Sequence, residues 1–486
     1  MANDREDSAV VVTAAVLEAL THIRLSNTAE SIEQAQSALA AARSHQLNET
    51  VKQLPQLMAM IHLVDVFCSL QDFNPAQAIQ KMLAMHAMMD PAATDSHWKN
   101  DGSFAVPVTR VENFQTSLGA GGIVAKDENG RDVLSFNWMP RRDIYALAYL
   151  LSGSVMSHRN SWGGQKAEKY FREGLRMTRG MRYSCYVQSQ RLIAILGDSN
   201  MIDTTPKSVS SALARLQWRQ TLYCYLQLHL CFVLCARTDW DSASASVESL
   251  KEAASSITVG DPELLESLVL YLTGVIHQST GNLTDALSAF QSPALAFQPV
   301  GNASNRNQTR RDISILATLN TILILREPSQ PKHSQLDNLL YAVESACLSH
   351  PNKNIISAYY LVKATAHVND PILKTKQYLQ NALQAAKVVA NTQLTSITLN
   401  FMSWKFFRGV VGHQAENSAR ASQNLAKKSG SNLWISVADG LLADTLEVQG
   451  KHGEAEAARN EATAVAEALP DGLQRFKEGG SKEACQ

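Results

Sequence analysis

Apolar residues return every three or four positions over most of this chain, with polar residues between them. The spacing predicts a helix over 8–25, with Val11, Ala15, Leu17 and Leu20 on one stripe, and an antiparallel partner from Asn27 to Ser44. A second hairpin is predicted from 51–70 and 75–89, turning between Asp72 and Pro75, where proline suits the first turn of a helix. The pattern resumes at Arg141. It predicts hairpins at 141–158 with 163–180, 208–236 with 241–256, and 262–280 with 282–297. Four more follow at 311–326 with 334–349, 354–368 with 372–390, 392–411 with 413–428, and 431–449 with 451–468. Pro470 should stop the last helix.

Two stretches break the period. Residues 91–135 carry Pro91, Pro107, Gly102, Gly119, Gly121, Gly122 and Gly130 and read as a long insertion loop, with a short hairpin at Ile123–Phe136. Residues 298–310 read as a polar loop. The organisation expected is therefore N-terminal helical hairpins over 1–90, the insertion over 91–135, a repeat array over 136–469 and a polar tail over 470–486.

Small residues fall at tetratricopeptide-like offsets within the hairpins. Ala286 lies twelve residues after Gly274 and four before Phe290, and Ala455 lies twelve after Ala443. Ala167, Ala243, Ala286, Thr375, Ala415 and Ala455 are candidates for the small residue that opens a second helix, and the last three are forty residues apart. An ideal tetratricopeptide repeats every ~34 residues, so these are lengthened hairpins. The expected fold is all-α, a tetratricopeptide-like helical-hairpin solenoid, or superhelix. Such a stack offers a long surface for gripping other proteins rather than a catalytic pocket.

Composition narrows the function classes. Charged residues are 18% of the chain and the formal net charge is -1, which gives no global drive toward nucleic acid or anionic lipid. The start, MANDREDSAVVV, lacks the basic region of a secretory signal. No run reaches the ~18–20 apolar residues of a membrane span, so no membrane partner is expected. The cysteines number seven at irregular spacing. Cys224, Cys231 and Cys235 share one apolar helix and read as buried free thiols, since zinc would want CxxC pairs or nearby histidines. Met82, Met85, Met88 and Met89 read as adaptable core filler.

Candidate chemistry is sparse. The chain has no HExxH, GxSxG, phosphate loop or dinucleotide fingerprint. Leu118–Gly122 is glycine-rich but lacks the lysine and Ser/Thr of a phosphate loop. His158 reads as a helix-end cation, and Asp143, Glu168 and Glu173 read as solvated faces. No catalytic, metal or cofactor residue is assigned, no small-molecule substrate is expected, and the chain is read as not an enzyme. Two basic groups stand out. Arg141 and Arg142 open a helix just after Trp138 and Pro140, and Arg172, Arg176, Arg179 and Arg182 lie along one helix face. The four read as a solvated face, with an acidic partner segment or a phosphate backbone as the functional alternative.

The segment Leu134–Met177 resembles the cohesin loading factor family, the smaller, tetratricopeptide-like subunit of the cohesin loader. The likeness rests on Phe136, Trp138, Met139 and Pro140, on the helix Tyr145–Leu151, and on Lys166, Ala167, Lys169, Tyr170 and Leu175. Further likeness lies in Ser396–Gln414 with Trp404 and in the hairpin after Trp434, so it spans about Leu134 to Leu469. The departures are the length of the 91–135 insertion and of the Trp162-Gly163-Gly164 loop. Fewer helical repeats also precede the Trp-Pro step than the family usually has, so the chain is expected to start inside the family's N-terminal half. The resemblance implies a non-enzymatic nuclear adaptor without cofactor. Its superhelix would wrap the extended N-terminal segment of the large HEAT-repeat loading subunit and support loading of cohesin onto chromatin for sister chromatid cohesion. In that reading Trp138 is a packing anchor, while Arg141 and Arg142 face solvent and touch the partner. The alternatives are a scaffold of a ubiquitin-ligase or transcription assembly, and an all-helical enzyme with a pocket near 298–310 or 91–135.

Overall fold

The helices begin where side chains take up the first free backbone N–H groups. Thr28 and Ser31 cap the second helix reciprocally, with Thr28 Oγ1 accepting from the Ser31 N–H at 3.0 Å and Ser31 Oγ from the Thr28 N–H at 2.9 Å. At the helices that start at Pro75 and Pro262, the Asn74 and Asp261 side chains accept from the Gln77 and Leu264 N–H groups. The computed structural model describes residues 7–25, 28–46, 48–95, 97–108, 124–126, 130–157, 165–178, 209–255, 257, 261–297, 308–326, 333–366, 371–467 and 469. These form two units, Met1–Val155 with Tyr170–Tyr223, and Met156–Lys169 with Cys224–Gln486. The expected roles of His158, Arg179, Arg182, Pro470, Leu118–Gly122, the Trp162–Gly164 loop and the tail fall outside the described residues.

The first unit opens with α1 (Ser8–Leu25) packed on α2 (Ala29–Ser44), followed by the short α3 (Glu49–Lys52), α4 (Pro55–Gln71) and α5 (Pro75–Ala92). The helix expected over 51–70 is split, because Pro55 has no N–H to continue α3 and disfavours helical backbone at Leu54. Val12, Val16, Leu39, Leu57 and Ile61 form its core. Buried Asp65 is held between Arg43 and Lys81, the lysine at 3.1 Å.

Three antiparallel strands follow, β1 (Ser103–Pro107), β2 (Val124–Lys126) and β3 (Asp132–Asn137), in the order β1-β3-β2. Phe104 pairs with Phe136, their rings stacked at 5.5 Å, and both pack on the α1–α4 core. The β2–β3 hairpin was legible from local turn residues. Strand β1 was only faintly legible, in the weak apolar alternation that starts at Phe104, because its partner β3 begins twenty-five residues after β1 ends. Helix α6 (Arg141–Ser157) comes next, and α7 (165–178) spans the boundary between the two units.

The second unit is a succession of hairpins. After α8 (Val209–Ala236), whose last part belongs to it, come α9 (Trp240–Ala254), α10 (Pro262–Ser279) and α11 (Leu283–Phe290). They continue as α12 (Gln308–Leu325), α13 (His333–Leu348), α14 (Lys353–Ala366) and α15 (Ile372–Val388). The last are α16 (Thr392–Met402), α17 (His413–Ser429), α18 (Asn432–Val448) and α19 (His452–Glu467). First helices α10, α12, α14, α16 and α18 also pack on one another in turn. The solenoid reading therefore holds. Its register holds as well, since Ala167, Ala243, Ala286, Ala415 and Ala455 are all buried and Thr375 with them.

Two helix ends differ from the period. The helix expected to reach 297 stops at Phe290, because Pro293 cannot continue it and opens a single 3-10 turn instead. Helix α16 widens into a π turn at Ser403–Phe407 before Gly409, at φ +75°, redirects the chain. Cys224 and Cys231 are buried thiols, as expected, whereas Cys235 is only half-buried. Burial pushes the Cys231 thiol up to about 11 and that of Cys235 up to about 12, which disfavours the thiolate at neutral pH.

Candidate partner-binding surface

The Trp138–Pro140 step is built on a glycine. Gly102 sits at φ +83°, and a Cβ there would run into the Met139 carbonyl, so only glycine lets the β1 entry lie against residues 138–140. The Trp138 N–H donates to the Gly102 carbonyl at 3.2 Å, and the Arg141 N–H to the Asn100 carbonyl at 3.1 Å. Asp101 fixes the same turn by accepting from the Ser103 N–H and hydroxyl. Helix α6 then starts on the Pro140 carbonyl, which accepts from the Asp143 and Ile144 N–H groups at 2.8 and 3.1 Å.

Two tryptophans anchor this joint. Trp98 is 2% exposed and stacks on Tyr145 at 5.5 Å, while the Tyr145 hydroxyl donates to the Met89 carbonyl at 2.7 Å. Trp138 packs on the core of α1 and α4. It lines an apolar slot of about 70 Å³ together with Leu17, Leu57, Met60, Phe104 and Phe136. Its expected role as a packing anchor follows from this placement.

The two arginines part company. Arg142 is exposed, as the sequence suggested. Arg141 is half-buried, and its guanidinium donates to the Trp98 carbonyl at 3.4 Å, so it ties α6 to the loop before β1. Two carboxylates expected on solvated faces are not there. Asp143 is buried, with both oxygens accepting from Arg219 Nε at 3.0 Å, and Glu168 is half-buried against Arg237. Burial pushes the Asp143 carboxyl up, opposed by Arg219. The polar turn of α6 conceals this ion pair in the sequence, since Arg219 lies 76 residues on. Of the arginine line on α7, Arg172 and Arg176 are exposed, and Arg176 pairs with Glu173 at 2.5 Å.

The second unit offers the rank of first helices. Polar side chains make bonds within and between its hairpins. His350 accepts the Asn352 N–H at Nδ1 and meets Asp312 through Nε2 at 2.9 Å, which assigns the proton of the neutral ring to Nε2. Asn320 donates to the Tyr271 hydroxyl, and Gln393 to the Ala236 carbonyl at 3.3 Å across 157 residues. Among the described residues no group of His, Cys, Asp and Glu could hold a metal ion, and no helix is long and apolar enough to cross a membrane.

Comparison with known proteins completes the picture. No curated protein matches the chain. The crystal structure of Scc4 in complex with Scc2n is similar in fold, with a TM-score of 0.51 and 11% sequence identity, covering 95% of this chain and 68% of that chain. The cohesin loading factor family model matches residues 1–453. With the hairpin array and the Trp138–Pro140 step in place, that match over nearly the whole length makes the chain a member of the cohesin loading factor family.

Proposed function

We propose that this chain is a non-enzymatic adaptor of the cohesin loader. It binds the extended N-terminal segment of the large HEAT-repeat loading subunit, and the pair supports loading of cohesin onto chromatin in the nucleus. The family match over 1–453 carries this reading. Two further observations support it. The fold is similar to that of Scc4, whose structure was solved in complex with Scc2n. The first helices of the second unit form a continuous rank, along which a disordered segment can bury a large area and offset its ordering entropy through many small contacts. Arg142 is the better placed of the two arginines to meet that segment, and Arg141 positions the helix that carries it.

Calorimetric titration of the full chain with the N-terminal segment of the large subunit tests the reading. Saturable binding that also raises the thermal midpoint by mass action is expected. Absence of binding removes the loader assignment.

A further inference from the structure

Helix α16 does not end in an ordinary turn. Its last residues widen into the π turn Ser403–Phe407, and Gly409 and Gly412 then bracket Val410 and Val411 before α17 begins. The result is a ridge that holds apolar side chains in water. Trp404 and Val410 are each 46% exposed and Val411 is 71% exposed. Exposed apolar groups that fall together in this way mark interaction sites more often than those scattered singly.

The ridge is fixed from several sides. The Val410 N–H donates to the Phe407 carbonyl at 3.1 Å, and the Gly412 carbonyl accepts from Gln449 Nε2, at the end of α18, at 3.1 Å. The Ser403 and Ser418 hydroxyls meet at 3.0 Å, and Trp404 leans on Phe401 with ring centres 5.6 Å apart. The π turn packs on α16, α17 and α18. Folding thus presents the apolar groups without burying them, so covering them costs little further ordering of this chain.

The same ridge carries two cations. Lys405 is half-buried and Arg408 is exposed, and neither makes an ion pair among the described residues. Glu416, on the first turn of α17, is taken up by Arg420 and Lys451. Two unpaired positive charges set among exposed apolar groups call for carboxylates that arrive with apolar neighbours. A phosphate backbone would meet the cations and leave the valines in water. An anionic bilayer would want a longer basic and apolar face.

We propose that the ridge Trp404–Val411 docks a short acidic segment of a partner protein, in which apolar residues alternate with Asp or Glu. The apolar side chains cover Trp404, Val410 and Val411, and the carboxylates pair with Lys405 and Arg408. Arginine at 408 suits this role, because its planar fork holds both oxygens of a carboxylate at once.

The test needs no loading subunit, so its outcome is independent of the adaptor reading. A rhodamine-labelled peptide with alternating Asp and Leu in a Gly/Ser frame is titrated against the full chain. Beside it stand an Asn/Leu peptide, an Asp/Ser peptide, a random-sequence DNA duplex and phosphatidylserine vesicles. The Asp/Leu peptide should bind saturably, and the Asn/Leu and Asp/Ser peptides should each bind about tenfold more weakly. Val411→Ser should weaken binding of the Asp/Leu peptide, and Arg408→Gln should weaken it and flatten its salt dependence. Both side chains are exposed, so thermal unfolding should be unchanged. No binding of the Asp/Leu peptide, equal binding of the Asp/Ser peptide, binding that neither substitution alters, or tighter binding of the duplex or the vesicles overturns the proposal.

Discussion

Gly274 and Phe290 touch so closely that a Cβ on the glycine would sit 2.7 Å from the phenylalanine ring. The contact joins α10 to α11, where Phe290 is buried. The same relationship recurs in the first unit, where a Cβ on Gly153 would clash with the Phe171 ring. In both hairpins a glycine on the first helix receives an aromatic ring from the second. Gly274→Ala should therefore destabilise the chain despite the better helix propensity of alanine, by about 1–3 kcal/mol for overpacking a filled site. Gly274→Ala combined with Phe290→Leu should recover part of the loss. Urea unfolding of the single and double variants measures both.

The buried small residues give a sharper expectation. Ala286 and Ala455 are fully buried, each on a second helix that packs tightly on the first. An arginine at either place would bury a cation without a partner, which costs on the order of 3–5 kcal/mol. Ala286→Arg and Ala455→Arg should each lower the thermal midpoint by several degrees. Unchanged unfolding in both would show that the repeat register is wrong.

That register was legible because the period and the small-residue positions are local properties of the sequence. Ala286 and Phe290 mark a helix seam within a few residues of each other, and the hairpin order follows from it. Long-range pairings were not legible. Asp143 reads as a surface carboxylate until Arg219 is placed beside it, and β1 reads as loop until β3 supplies its partner. The Trp138–Pro140 step was visible as a motif, yet its need for glycine at 102 appears only once Met139 lies across it.

Acid should weaken the fold through three half-buried histidines. Burial pushes His62 and His86 below their ordinary value of 6.5, and pushes His229 down to about 4. In the unfolded chain these rings bind protons near 6.5, whereas in the folded chain they stay neutral to lower pH. Between those limits the unfolded state holds more protons, so stability falls as pH drops from about 6.5 toward about 4. The urea midpoint at about pH 5 should lie below that at about pH 7.5. His229→Gln should flatten this dependence, since glutamine takes no proton. A midpoint that rises on acidification would contradict the assignment.

The two arginines after Pro140 separate stability from binding. Arg141 donates to the Trp98 carbonyl and helps fix the joint between the sheet and α6. Replacing it with glutamate removes that bond and sets a carboxylate against a carbonyl. Arg141→Glu should cost about 1–3 kcal/mol of stability, read as a lower urea midpoint. Arg142 is exposed, so Arg142→Glu should leave the midpoint within about 0.5 kcal/mol of the parent. If Arg142 meets an acidic stretch of the loading subunit's N-terminal segment, its reversal should slow association and remove part of the salt dependence of binding. Stopped-flow association at two salt concentrations reads that change directly. Equal association rates for the parent and Arg142→Glu would place the bound segment elsewhere, along the first-helix rank of the second unit.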